Sequence, residues 1–179
     1  DDGAHVALLG SGERTYEELV SRLGRRYPGR IARQGSPDAR LEHLLYAGCD
    51  LFLAPPRVEP NGSAHLLAMH YGAVPVVHAT GGLADAVRDY DDDPSEGNGF
   101  CFSPYDAWAL YAAVVRAIEV YRHPALWRPL QRRCLAHDVS WETPAARYVD
   151  VYRWALAHRC PQDAAHQGRP EGLSADDRG

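Results

Sequence analysis

The 179-residue chain has no lysine; all 19 of its basic residues are arginines. Any chemistry that depends on a lysine must therefore be supplied from elsewhere. A coding bias toward GC-rich triplets accounts for the composition. Cysteine is sparse, with four residues at Cys49, Cys101, Cys134 and Cys160. No pair has C-x-x-C spacing, which argues against a structural zinc site or a redox pair. They read as ordinary thiols in a reducing compartment. No apolar run approaches the roughly 18 residues of a membrane span. The formal net charge is -5, so nothing points to an electrostatic nucleic-acid partner. The acidic first residues lead almost directly into an apolar run, so no signal or transit peptide is expected. A start without Met, so close to a strand, is expected of a chain cut from something longer.

What is present is enough apolar sequence, 45%, for one core. His5 to Leu9 reads as a buried parallel strand that ends in Gly10-Ser11-Gly12. Thr15 to Tyr27 reads as a helix stopped by Pro28-Gly29. A weak strand is expected within Arg30 to Gln34. Pro37 and Asp38 open a helix through Tyr46, and Gly48 ends it. Asp50 to Ala54 is a strand that Pro55-Pro56 cannot continue. A loop with Glu59 and a helix over about Ser63 to Tyr71 come next. Val74 to His78 is a strand despite Pro75, which removes a ladder donor. Gly81-Gly82 leads into a short helix over Leu83 to Asp89, and Tyr90 to Asn98 is a solvated acidic loop. A strand over Gly99 to Ser103 and three terminal helices complete the pattern. Residues 1–158 form the expected domain. Residues 159–179 hold one Leu and no aromatic residue, and a disordered tail is expected there.

Strands alternating with helices predict an α/β fold: a Rossmann-like parallel sheet with helices on both faces, followed by C-terminal helices. Ligands of such sheets sit beyond the carboxyl ends of the strands. That rule singles out the turns Gly10 to Gly12, Pro55 to Gly62 and Thr80 to Leu83. Gly10-Ser11-Gly12 lacks the third glycine of G-x-G-x-x-G, so a plain strand-to-helix turn is an open alternative. In Thr80-Gly81-Gly82-Leu83, glycines before a helix let backbone amides approach an anion closely; a simple N-capped helix is the alternative. Glu59, stiffened between prolines, is a carboxylate suited to sugar hydroxyls or to a developing positive charge, or else a surface residue in a turn. The histidines, His43, His65, His70 and His78 among them, share no helix face at metal-ligand spacing, and no metal is expected. Trp127, Trp141, Tyr148, Tyr152 and Trp154 recur at helical spacing, read as packing of the terminal helices, with sugar stacking as the alternative.

Taken in order, these residues resemble the C-terminal half of the bacterial glycogen and plant starch synthases, retaining glycosyltransferases of the GT-B fold. The family pattern P-S-R-F-E-P-C-G-L is matched by Pro55-Pro56-Arg57-Val58-Glu59-Pro60-Asn61-Gly62-Ser63. The segment A-M-R-Y-G-T-I-P-V-V-R-x-T-G-G-L-x-D-T-V is matched from Ala68 to Val87. Asn98-Gly99-Phe100, Leu126-Trp127-Arg128, Gln131-Arg132 and His137-Asp138-Val139-Ser140-Trp141 also fit, as do Tyr148 and Tyr152.

The resemblance implies one lobe of a GT-B fold. Glu59 would be the catalytic residue, contacting the donor glucose and stabilising oxocarbenium character. The backbone around Asn61 and Gly62 would lie close to the sugar. Thr80, Gly81, Gly82 and Leu83 would hold the diphosphate of ADP-glucose, and Gly10 and Gly12 would line the nucleotide side. Glucose would pass to the 4-hydroxyl of an α-1,4-glucan, with no cofactor and no metal. The compartment would be the cytoplasm of a bacterium or the plastid stroma of a plant or alga. Departures from the pattern are Asn61 for Cys, Ser63-Ala64-His65 for Leu-Thr-Gln, and Ser36 for an aromatic residue on the base; Leu67 stands where the wider clan has a second Glu. The family's diphosphate-neutralising Arg and Lys, and its N-terminal domain with a Lys-x-Gly-Gly-Leu loop, have no counterpart in these 179 residues. The isolated chain is therefore expected to show little or no transferase activity. The rival readings are a non-catalytic scaffold or binding domain derived from a synthase, and a transferase that uses another nucleotide sugar.

Overall fold

The structure is a computed structural model that describes residues 3–36, 38–60 and 62–158. The expected tail after 158, Cys160, Pro37 as a helix opener, and Asn61 beside the sugar lie outside the described residues. The elements are β1 (Val6–Leu9), α1 (Arg14–Arg26), β2 (Ile31–Gln34), α2 (Ala39–Gly48), β3 (Leu51–Ala54), α3 (Ala64–His70), β4 (Val74–His78), α4 (Gly81–Ala86), β5 (Phe100–Phe102), α5 (Ala107–Tyr121), α6 (Pro124–Leu135) and α7 (Glu142–Ala157). Residues up to His137 form one compact unit, and those from Asp138 onward form a second. No described helix is long and apolar enough to cross a membrane.

Among the described residues all strand pairs are parallel, as the alternation of elements predicts, but they fall in two sheets rather than one. β1 pairs with β2, and the order of the second sheet is β3-β4-β5. β1 is also exposed along most of its length, which corrects the expectation of a buried strand. Among the described residues its ladder partner is β2, and Val6 and Leu8 are exposed.

The second sheet carries the core. All five residues of β4 are buried, as suits a central parallel strand covered on both faces. Val74 and Val76 join Phe100 and Phe102 of β5, Met69 of α3, Ala113 and Ala117 of α5, and Trp127 and Leu130 of α6. Tyr46, Ala68 and Ala73 form a cluster with Phe52, and Val77, Leu83 and Val87 form another. Pro75 is tolerated in the middle of the sheet because of where its missing donor would point. Val74 donates its N–H to the Asp50 carbonyl at 2.9 Å, toward β3, so the next residue faces β5. The β5 ladder begins only at the pair Val76–Phe100. Gly99 leaves room for the ring: a Cβ there would lie 2.7 Å from the Pro75 oxygen and 2.6 Å from Val87 Cγ1.

Local chemistry sets the helix ends. Asp38 caps α2 by accepting from the Arg40 and Leu41 amides, and Asp106 caps α5 by accepting from Trp108 and Ala109. α3 ends in a Schellman motif. Gly72, at φ 87°, donates to Met69 O at 2.8 Å, while Ala73 donates to Ala68 O at 3.0 Å. The acidic loop is more than the solvated segment expected. Tyr90 and Asn98 are buried, Arg116 bridges Asp89 and Asp91 while donating to the Cys101 carbonyl, and Arg133 donates to the carbonyls of Gly97 and Pro94. The terminal aromatics divide. Trp127 is buried against Tyr121 with ring centroids 5.0 Å apart, whereas Trp141, Tyr148, Tyr152 and Trp154 are exposed, so packing accounts only for the first.

Gly99→Ala should destabilise the fold by about 1–3 kcal/mol, because the added methyl overpacks against backbone as well as side chain. Urea denaturation of the full chain, read as a lower midpoint at unchanged m-value, checks this.

Candidate functional site

β3 and β4 are neighbours in register, Ala54 opposite Val77, so the loops leaving their carboxyl ends emerge side by side. One is Pro55 to Gly62 and the other is Ala79 to Leu83. His78, at the end of β4, ties them together at the base. Its Nδ1 donates to the Pro56 carbonyl at 2.9 Å, and its ring lies against Phe102 and Tyr105. Sequence reasoning passed over His78 as one dispersed histidine among several. Its position one residue past a run of buried apolar residues was the available signal.

Further out, the two loops touch through their backbones. The Gly82 amide donates to the Glu59 carbonyl at 3.2 Å. Gly81, at φ 49°, permits this approach: a Cβ on it would stand 2.1 Å from the Glu59 oxygen. Glu59 is half-buried, and its carboxylate Oε1 accepts the Gly62 amide at 2.8 Å. Glu59, Gly62, Thr80, Gly81, Gly82 and Leu83 are thus brought together.

Their local structure differs in part from the sequence expectation. Gly81 and Gly82 are not a lead-in but the first two residues of α4, and α4 ends at Ala86, short of the expected Asp89. Thr80 occupies the N-cap position without a side-chain capping bond, which leaves its hydroxyl outside the helix end. Two amides at this end are engaged within the protein, since Gly82 donates to the Glu59 carbonyl and Leu83 to the Thr80 carbonyl at 3.1 Å. The Leu83 side chain is buried in the core cluster with Val77 and Val87, so only its backbone faces the turn. Arg57 lies with its guanidinium carbon 5.8 Å from the centre of the Tyr105 ring, a cation–π contact that holds it beside the base of the loops.

Gly10 and Gly12 lie at the carboxyl end of β1, where the switch-point rule placed them, but their contacts stay within β1, α1 and β2. Gly10 donates to Gln34 O at 2.9 Å, and the Gly12 amide donates to Glu17 Oε1 at 3.1 Å. The same Glu17 oxygen accepts from Arg33. An open, charged depression along α1, lined by Arg14, Glu17, Glu18, Ser21, Arg25 and Arg33, shares no residue with the Glu59 cluster.

His65 is the residue sequence reasoning missed. It sits in the first turn of α3 and is only 1% exposed, yet neither ring nitrogen has a hydrogen-bond partner among the described residues. Its pKa is lowered from the ordinary 6.5, first by burial and then by the nearby His137, with Glu59 acting in the opposite direction. The described cysteines are unsuited to nucleophilic chemistry. Burial pushes the Cys134 thiol up to about 12, and burial followed by Asp89 pushes Cys101 up to about 11.

A parallel sheet with the Glu59 carboxylate and a glycine turn at adjoining strand ends is an arrangement suited to a sugar–phosphate ligand. The chain belongs to the family of group 1 glycosyl transferases, whose model matches residues 4–129. It is 49% identical over 151 residues to a glycogen synthase of Alkalilimnicola ehrlichii, covering 84% of this chain and 31% of that protein. It is 39% identical over 171 residues to glycogen synthase 1 of Synechocystis, covering 96% of this chain and 34% of that protein. Among solved structures, the catalytic domain of starch synthase IV from Arabidopsis thaliana, bound to ADP and acarbose, matches with a TM-score of 0.75 at 29% identity, over 88% of this chain and 33% of that one. The architecture is therefore a GT-B glycosyltransferase lobe similar to those of glycogen and starch synthases. The chain spans about a third of the length of these curated relatives.

Two outcomes are expected from this geometry. An alanine at Gly81 has to displace the Glu59 carbonyl, adding about 1–2 kcal/mol of left-handed strain and breaking the Gly82 contact. Shifted amide resonances at residues 59, 62 and 82, with a lowered melting temperature, are the readout. His65 titrates near 6.5 once unfolded and lower when folded, so the unfolded state takes up the proton first as pH falls. Its contribution to stability is complete above about pH 6.5 and declines below it, toward the folded pKa. His65→Gln should flatten that part of the profile, measured as urea midpoints between about pH 7.5 and 5.5.

Proposed function

We propose that this lobe binds the nucleotide-sugar donor of a glycogen or starch synthase reaction, with ADP-glucose as donor and an α-1,4-glucan as acceptor. The observation that carries the reading is the backbone contact between Glu59 and Gly82. It sets a half-buried carboxylate directly beside a glycine turn at the start of a helix. The starch synthase IV structure of the same fold holds ADP, which supports the choice of nucleotide.

In this reading the diphosphate lies against Thr80 to Leu83, where the Thr80 hydroxyl and the backbone supply donors. Fixed dipoles directed at the leaving phosphate stabilise its developing charge without having to reorganise. The Glu59 carboxylate faces the sugar and stabilises the oxocarbenium character that grows as the C1–phosphate bond breaks. The 4-hydroxyl of the glucan end then takes the glucosyl group, with retention of configuration. Asn61 and the backbone of Gly62 complete the sugar side, and Gly10 and Gly12 the nucleotide side.

The reading also includes a second GT-B domain that closes over the donor. The partial span of the chain in its relatives supports it. So does β1, an apolar strand whose residues Val6 and Leu8 are exposed. A non-catalytic binding domain is the second reading. It is favoured by the commitment of the Gly82 and Leu83 amides to protein carbonyls, which leaves fewer donors for an anion.

Calorimetric titration with ADP, UDP and GDP separates these readings. The synthase reading expects ADP to bind most tightly. No binding of any nucleotide at millimolar levels would leave the non-catalytic reading standing. In full-length protein that elongates glucan, Glu59→Gln should lower kcat at least about a hundredfold, in line with the loss of one charge-stabilising group. Residues 1–179 alone are expected not to elongate glucan from ADP-glucose, and measurable elongation by them would show that the site needs no second domain.

A further inference from the structure

β5 lies next to β4, with Phe102 opposite His78, so the segment that leaves β5 emerges beside the loop that holds Thr80. Three residues on, Tyr105 touches the base of both loops of the candidate site. Its ring centroid lies 5.0 Å from that of His78, and the Arg57 guanidinium carbon lies 5.8 Å from its centre. From Tyr105 the aromatic residues continue into the first two turns of α5. Trp108 is 80% exposed and Tyr111 is 61% exposed. Standing three residues apart on the helix, they are neighbours, with ring centroids 6.2 Å apart and planes at 89°. Asp106 fixes the start of this row by accepting the Trp108 amide at 2.7 Å and the Ala109 amide at 2.9 Å.

The core does not account for these rings. Ala113, Ala117 and Val120 make the buried face of α5, and Trp108 and Tyr111 join no buried cluster among the described residues. Large rigid rings with a polar handle suit a partner that is apolar on its face and polar at its rim. A pyranose is such a partner, since its C–H groups form an apolar face and its hydroxyls line the edge. The exposed residues of β1, Val6 and Leu8, are aliphatic instead and suit a protein surface.

The acceptor in the reading above is a polymer. Only its end reacts beside Glu59, and the rest has to leave along the surface. The right angle between the two rings also sorts the glucans. α-1,4 linkages coil a chain, so successive sugars present differently turned faces. A β-1,4 chain is a flat ribbon that suits coplanar rings.

We propose that Tyr105, Trp108 and Tyr111 form a binding platform for α-1,4-glucan, which holds a stretch of the polymer beside the Glu59 site. The platform rests on the glucan-synthase reading and adds to it a second contact for the same polymer. A long glucan reaches both places, and a short one reaches only the site of reaction.

The test uses the full-length protein and its Trp108→Ala, Trp108→Phe and Tyr111→Ala variants. Native electrophoresis in gels containing glycogen or a soluble β-1,4-glucan reads polymer binding, and calorimetry reads ADP binding. Trp108→Ala should bind glycogen about three- to tenfold more weakly, the loss of one aromatic contact, with ADP affinity unchanged. Trp108→Phe should recover part of the loss, and Tyr111→Ala should reproduce it. The β-1,4-glucan should retard the parent less than glycogen does. In elongation assays Trp108→Ala should raise KM for glycogen at unchanged kcat and leave KM for maltotriose as in the parent.

Equal retardation of the parent, Trp108→Ala and Tyr111→Ala by glycogen overturns the platform, as does a β-1,4-glucan that retards the parent as strongly as glycogen. Variants that melt lower and lose ADP and glycogen together also overturn it, because that result places the rings under a second domain. If the parent binds no ADP while glycogen retardation still depends on Trp108, the donor reading fails and the platform stands. If the parent binds ADP and elongates glucan but Trp108→Ala keeps the parent KM for glycogen, only the platform fails. Should Trp108→Ala not fold, Trp108→Phe and Tyr111→Ala decide between the same outcomes.

Discussion

Burial of β4 on both faces is the constraint on which the rest of this lobe depends. Five consecutive residues are withdrawn from water, and each must be covered by something. Met69, Ala113, Ala117 and Leu130 cover one part, and Leu83 and Val87 cover another. This draws α3, α5 and α6 around one strand. It also fixes the direction in which the chain leaves the sheet, because the last residue of the buried run, His78, is the one that ties the Pro56 carbonyl in place. A loop held at its base by a buried strand end is a more rigid support for chemistry than a loop held only by its own turns.

The loops of the site satisfy one another. The Glu59 carbonyl takes the Gly82 amide, its carboxylate takes the Gly62 amide, and Thr80 takes Leu83. These bonds hold the two loops in contact, and each has to be shared or exchanged when a polar ligand arrives. His65 is the exception within this accounting, buried and with no hydrogen-bond partner among the described residues. The tension between a satisfied turn and an unsatisfied histidine lies a few ångströms from the group expected to face the sugar, and strain of that kind is commonly stored at functional sites.

Much of this was legible from sequence because it depends on local rules. Strands and helices alternate, β3 stops at two prolines, and Gly72 ends α3; each follows from residues within one turn of the event. The rule for parallel sheets picked out turns that do follow β1, β3 and β4, and the structure joins the two that follow β3 and β4. Other features were not legible. Pro75 argues against a central strand, and only the late start of the β5 ladder together with the space at Gly99 shows why it is accepted. The acidic loop reads as solvated because its partners lie far along the chain: Arg116 pairs with Asp89, and Arg133 donates to the Gly97 carbonyl. The split into two sheets reflects pairing that local pattern does not encode.

The sequence by itself determined the order of elements, their parallel sense and the identity of the two loops, because periodicity, prolines and glycines act within a few residues. Tertiary structure alone decided that the Glu59 carbonyl meets the Gly82 amide, that the Leu83 side chain belongs to the core, and that the buried His65 ring has no hydrogen-bond partner among the described residues. Those outcomes depend on which segments the burial of β4 forces together. Burial, unlike periodicity, is set by neighbours that are distant in the chain.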